Sequence, residues 1–317
     1  MSGTVAPPGS RPGVRRPAAG GATGGSARRR RARTWAGVLF VLPALVPYLA
    51  FVVRPLLLSV QYSLYEWNGI GASTFVGLRN YVTVLTSTDQ LLPLLHAVQL
   101  IAFFTVIPVS LGLLCASLLH GLPEGRFATV ARVVLFVPQV IPLVAAALAW
   151  SWVYSTNGVL NQGLEAVGLE SVTRAWLGDF DWALVAVGII GAWVLLGLCT
   201  LLLITGISKI DTSLYDAAKI DGANALQEFR HVTLPGLRRE IGVCVTVTVI
   251  AALASFDIVY VTTQGGPGEQ TMVPGVQIFR LAFTQREIGL ASANAIVLMV
   301  VVLAVVIPLQ RLTGRTE

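Results

Sequence analysis

Apolar residues in this 317-residue chain gather into six blocks, each close to the ~20 residues a helix needs to cross a hydrocarbon core. The blocks cover residues 36–60, 94–119, 130–154, 182–207, 241–263 and 288–310. Lipid offers the backbone no hydrogen-bond partner, so runs of this length form helices rather than strands. Prolines stand inside the first three: Pro43 and Pro47, then Pro108, then Pro138 and Pro142. They predict bends, tolerated where neighbouring groups satisfy the freed carbonyls. Two stretches break the pattern. Residues 1–34 are rich in Gly, Pro, Ala, Ser and Arg, with no acid, and residues 213–235 form a polar insert between the fourth and fifth blocks.

The pattern predicts an all-α integral membrane protein with six transmembrane helices. Composition agrees: 55% of residues are hydrophobic and 12% charged, half the ~25% of soluble domains, and the mean hydropathy is +0.74. Seventeen of the 22 Lys and Arg fall on one side when the six spans are threaded. By the positive-inside rule that side, with both termini and the insert, is cytoplasmic. The tail over 1–34 is expected to be disordered, because it has too little apolar surface to fold. Its arginines, Arg28 to Arg31 and Arg33 among them, serve as a topology signal and contact anionic lipid. Residues 35–317 make the transmembrane domain, in a bacterial-type cell membrane.

No catalytic constellation emerges. His96, His120 and His231 are too scattered for a metal site, and Cys115, Cys199 and Cys244 sit in or beside apolar blocks without metal or redox spacing. A phosphate-cradling loop needs Gly-Lys, yet the two lysines follow Ser208 and Ala218. Neither an enzyme activity nor a nucleic-acid partner is expected.

The insert divides into two short helices by local signals. Ser213 with Asp216 predicts a capping box, Gly222 a left-handed stop, Asn224 with Gln227 a second N-cap, and Pro235 the first turn of the next helix. Ala217 and Ala218 leave a shallow patch flanked by Asp216, Lys219 and Asp221, which a second protein surface can approach closely.

The run D-A-A-x-x-D-G-A, followed by F-x-x-V-x-L-P, resembles the EAA loop of ABC importer permeases, with Asp216 where that family usually has Glu. Residues 75–81 (F-V-G-L-R-N-Y), 158–161 (G-V-L-N) and 263–267 (T-Q-G-G-P) are similar to landmarks of the carbohydrate-uptake branch, the maltose and glycerol-phosphate type. The resemblance covers roughly residues 36–312. It implies a type I importer fold and a coupling helix seated in a separate ATPase. Asp216, Ala217, Ala218 and Gly222 would make the central contacts, while Asp221, Phe229 and Pro235 brace the loop. The implied partners are a second homologous permease, two ATPase subunits that bind ATP and Mg, and an extracytoplasmic solute-binding protein.

Asp257 lies in the fifth block, where an acid at a bilayer centre costs ~2.5–3.5 kcal/mol and therefore faces protein or water. It has two readings, a structural pairing or a place in the sugar pathway with Tyr260 and Thr263. Trp193 and Asn294 are further pathway candidates, each with helix packing as the rival role. A secondary, ion-coupled transporter is the alternative function; several intramembrane acids or an internal repeat would mark one, and neither is visible.

Overall fold

The computed structural model describes residues 3–4, 41–123 and 125–313. The arginine-rich tail and Arg315 lie outside the described residues. The chain divides into two compact units, residues 1–57 and 58–317. The helices are α1 (Val41–Tyr62), α2 (Arg79–Thr86), α3 (Thr88–His120), α4 (Arg126–Val140), α5 (Leu143–Val153), α6 (Val159–Ala166) and α7 (Ala183–Ile207). After these come α8 (Thr212–Ile220), α9 (Ala225–Glu228), α10 (Arg238–Leu253), α11 (Asp257–Thr262), α12 (Pro274–Phe279) and α13 (Ile288–Thr313). Two antiparallel two-residue strands, Tyr65–Glu66 and Thr74–Phe75, are the sheet content of the described residues.

Four helices (α1, α3, α7 and α13) are long and apolar enough to cross a membrane, and α4 with α5 makes a fifth crossing if counted as one span. Two expected spans are therefore interrupted. The block at 130–154 bends by 101° between α4 and α5. Pro142 restricts the residue before it to extended backbone, and Ile141 has φ −70° and ψ 130°. The block at 241–263 stops at Leu253 and resumes at Asp257. The 16 residues of α10 reach ~24 Å, short of a full core.

Other prolines widen rather than break. A π turn at Leu49–Val53 ends two residues before Pro55, and one at Ala102–Val106 ends two residues before Pro108. A third, Phe229–Thr233, stands in the same relation to Pro235. In each case proline removes an N–H and its ring crowds the carbonyl four residues back.

α7 is the buried centre of the second unit, packed against the latter half of α3 and against α4. Gly197 permits the approach of α4: a Cβ there would lie 2.2 Å from the Leu135 carbonyl oxygen. At one end of α7, Leu203, Ile207, Cys199, Cys244 and Leu237 form a core that roots the insert. At the other end a larger core joins Leu100, Phe104, Val187, Ile190, Val259 and Met272.

Polar ties hold two of the connections between helices. Asn80 donates to the carbonyls of Ser63 (2.9 Å) and Tyr65 (3.0 Å), and the Tyr81 and Ser63 hydroxyls lie 2.6 Å apart. Buried Asn161 donates to the carbonyls of Thr156 (3.0 Å) and Arg174 (2.9 Å), and accepts from the Trp176 indole at 2.8 Å. The landmarks at 75–81 and 158–161 thus have structural work in this chain.

Candidate functional site

The insert forms two short helices, as its sequence predicts, with one change at its start. Asp211, not Ser213, caps α8: its carboxylate accepts from the Ser213 N–H at 2.9 Å. Asp211 prevails because its side chain stands two residues before that amide, the usual N-cap geometry. The Ser213 backbone N–H, then its side chain, hold the Asp211 carboxyl below the usual carboxylate range. Asn224 and Gln227 do make a reciprocal capping box, at 2.8 and 3.0 Å. Pro235 occupies the first turn of Leu234–Gly236.

Gly222 ends α8 with φ +76°, and no atom lies within 4 Å of where its Cβ would stand. The Ala223 N–H reaches back to the Ala218 carbonyl at 2.9 Å, closing the helix. Asp216, Ala217, Lys219, Asp221 and Gly222 are exposed, and Ala218 is half-buried. Ile220 and Leu226 are 87% and 74% exposed, large apolar side chains standing out of a polar turn.

What roots the insert differs from the expectation. Asp221 is exposed and has no ion pair among the described residues. Pro235 is exposed as well, and Phe229 is half-buried. The bracing falls to Tyr215, whose hydroxyl meets that of buried Thr233 at 3.0 Å, and to Leu237, fully buried at the foot of α10. Neither residue was singled out in the sequence; the 18-residue separation of Tyr215 and Thr233 has no periodic signal. Lys209 and Glu240 add a 3.5 Å ion pair at the base. Between the insert and the last turns of α3 lies a cavity of about 970 Å³, lined by Leu113, Leu114, Leu118, Tyr215, Leu226 and Phe229 among others.

The pathway candidates separate into two groups. Asn294 is committed to packing: its amide donates to Gln90 Oε1 at 2.9 Å and to the Leu290 carbonyl at 3.2 Å. Gln277 donates to the same Gln90 oxygen at 3.4 Å, so one acceptor on α3 ties α12 and α13 to it. Thr263 is likewise held in its loop, its hydroxyl 2.7 Å from that of Thr271. Trp193 meets Trp150 edge-on, with centroids 5.6 Å apart. Asp257, by contrast, is exposed at the start of α11, without an ion pair among the described residues. Beside it Phe256 and Tyr260 stack at 5.1 Å, and Phe279 and Phe283 extend the row. The spacing of four in both pairs is the signal that sequence reading passed over.

Residues 109–315 match the family described as binding-protein-dependent transport system inner membrane component. The probable ABC transporter permease protein YurN of Bacillus subtilis is 35% identical over 283 residues, covering 88% of this chain and 97% of that protein. The chain belongs to this permease family.

Two other similarities are informative. The diacetylchitobiose uptake system permease protein NgcF of Streptomyces coelicolor is 34% identical, covering 93% of this chain and 89% of that protein. A chain of the bacterial alginate ABC transporter, solved in complex with an alginate pentasaccharide-bound periplasmic protein, has the same fold. The TM-score is 0.77 at 20% identity, over 90% of the permease described here and 96% of that chain. As a member of this family, the permease is an inner membrane component of a transport system, with four helices long and apolar enough to cross a membrane among its described residues. Among its described residues no group of three His, Cys, Asp or Glu is arranged to hold a metal.

Proposed function

We propose that the permease forms part of the translocation pathway of an ATP-driven carbohydrate importer, with its insert as the coupling element. The observation that carries this reading is the insert itself, a doubly capped two-helix unit. The positions that match the EAA pattern stand mostly exposed, on a base made by Tyr215, Thr233 and Leu237. Exposed Ala217 and half-buried Ala218 form the contact patch, Asp216 and Lys219 set its register, and Gly222 turns the chain without obstructing an incoming surface. The cavity behind the insert leaves it room to tilt against α3 as the ATPases close.

The permease then makes six crossings, α10 and α11 together forming the fifth, with both termini and the insert on the cytoplasmic side. The Lys and Arg distribution supports that orientation. Two ATPase subunits bind ATP and Mg, a second homologous permease completes the pathway, and a periplasmic-type binding protein delivers the solute. The printed substrate of NgcF, diacetylchitobiose, supports a carbohydrate as cargo. Trp193, Asp257 and Tyr260 remain the pathway residues of this reading, and Asn294 and Thr263 hold the framework.

The test is a thiol cross-link. In a background with Cys115, Cys199 and Cys244 replaced by alanine, Ala217→Cys should join to an ATPase subunit bearing a cysteine in its docking cleft. Joining should depend on both cysteines and on intact assembly. Absence of a cross-link in a complex that still co-purifies would reject the coupling role.

A further inference from the structure

We propose that Asp257 is a charge filter in the permeation route, favouring neutral and cationic solutes over anionic ones. The inference rests on the pathway reading above and adds to it a substrate class.

Two interrupted helices meet at this place. α11 begins after the break at residues 254–256 and packs against α5, which itself begins after the 101° bend at Ile141–Pro142. Interrupted helices deep in a membrane are tolerated where they line a cavity or are buried in protein. Phe256 sits in the break with φ −139° and ψ −62°, and the buried Ser255 hydroxyl next to it has no hydrogen-bond partner among the described residues. Asp257 follows directly. Its carboxylate is exposed, and the arginine on the neighbouring segment, Arg280, is already paired with Glu269. An acid left unpaired on an apolar element is placed against water or a solute rather than lipid.

The surroundings fit a sugar. Phe256 and Tyr260 lie nearly parallel, 15° between planes, and Phe279 closes on Tyr260 at 5.1 Å. The inner faces of this row cover one another and the core. Its exposed end, Phe283, offers an apolar face to the C–H side of a pyranose, while the carboxylate accepts from its hydroxyls. A uronate or phosphorylated sugar would meet like charge there. An amino sugar would meet the opposite charge.

The experiment reads the field directly. In the complete transporter, with the three native cysteines replaced by alanine, Ala254→Cys places a thiol on the exposed edge of the break. Labelling rates are measured with a cationic trimethylammonium-ethyl and an anionic sulfonatoethyl methanethiosulfonate, in whole cells and in inverted vesicles. Asp257 should give the cationic reagent an advantage about tenfold larger than in the Asp257→Asn background, from a unit charge several ångströms away in a partly wet site. An unchanged ratio would overturn the charge filter and leave the pathway reading intact. Failure of both reagents to react from either side, in a variant that still transports, would show the face sealed and would also overturn it. Failure of the Ala217→Cys cross-link instead strikes the coupling reading.

Discussion

Replacing Gly197 by alanine is expected to loosen the central helix pair. The added Cβ would stand 2.2 Å from the Leu135 carbonyl oxygen and 2.9 Å from Phe136 Cα, both backbone atoms of α4. Reaching the 3.4 Å at which ordinary contact begins requires a displacement of ~1.2 Å at the oxygen. No side-chain rotation supplies that movement; α4 must shift as a body or tilt a carbonyl out of its helical bond. Overpacking of this kind costs about 1–3 kcal/mol. Gly163→Ala is the matched control, since it lies inside α6 with no atom within 4 Å of the new Cβ. It removes a helix glycine and should stabilise by about 0.5–1 kcal/mol. The assay is thermal unfolding of the purified transporter in detergent, read by loss of monodisperse protein after heating. Gly197→Ala should melt several degrees below the parent, and Gly163→Ala at or above it. A Gly197→Ala protein as stable as the parent would refute the close approach of α4 and α7.

Other expectations follow from the same contacts. Asn224→Ala breaks the capping box and should destabilise α9 by about 1 kcal/mol, seen as faster amide exchange over residues 224–229. Tyr215→Phe loses the hydroxyl contact with Thr233 and should weaken the base of the insert by about 1 kcal/mol, lowering coupled uptake more than membrane insertion. Asn294→Leu should lower the melting midpoint without changing the apparent substrate affinity of the transporter, because its amide serves Gln90 rather than solute. The Asp211 carboxyl is held low in the folded state, so its capping contribution is present above the ordinary carboxylate range and is lost as pH falls through the lowered value. Amide exchange at the start of α8 should therefore quicken in acid, and an Asp211→Asn protein should lack that transition.

Much of the architecture was legible because lipid enforces a simple rule: long apolar runs become helices. The blocks at 182–207 and 288–310 appear almost residue for residue as α7 and α13. The two interruptions were less legible. Pro142 signalled a bend but not one of 101°, and the break at 254–256 follows no proline at all. No local signal marks it; in the fold the Gly275 backbone lies against the Ser255 carbonyl, where a Cβ would stand 3.0 Å away. In the insert, Gly222 and the Asn224–Gln227 box were readable because local chemistry decides them. The Ser213 cap was misplaced by two residues because Asp211, a stronger acceptor, lay just outside the recognised motif. Asn294 was left between two roles for a different reason. A polar residue in an apolar helix announces that it needs a partner, and only the fold reveals that the partner is Gln90.

The central claim is that the insert transmits ATPase closure to this chain. Gly222→Asp tests it most directly, because the new Cβ has no atom within 4 Å and the left-handed φ of +76° costs an Asp only about 1–2 kcal/mol, too little to unfold the protein, while a charge is added to the exposed face. The account predicts a protein that inserts and accumulates like the parent but has lost ATP-driven uptake of the transported sugar. Uptake at the parental rate by the Gly222→Asp transporter would contradict it.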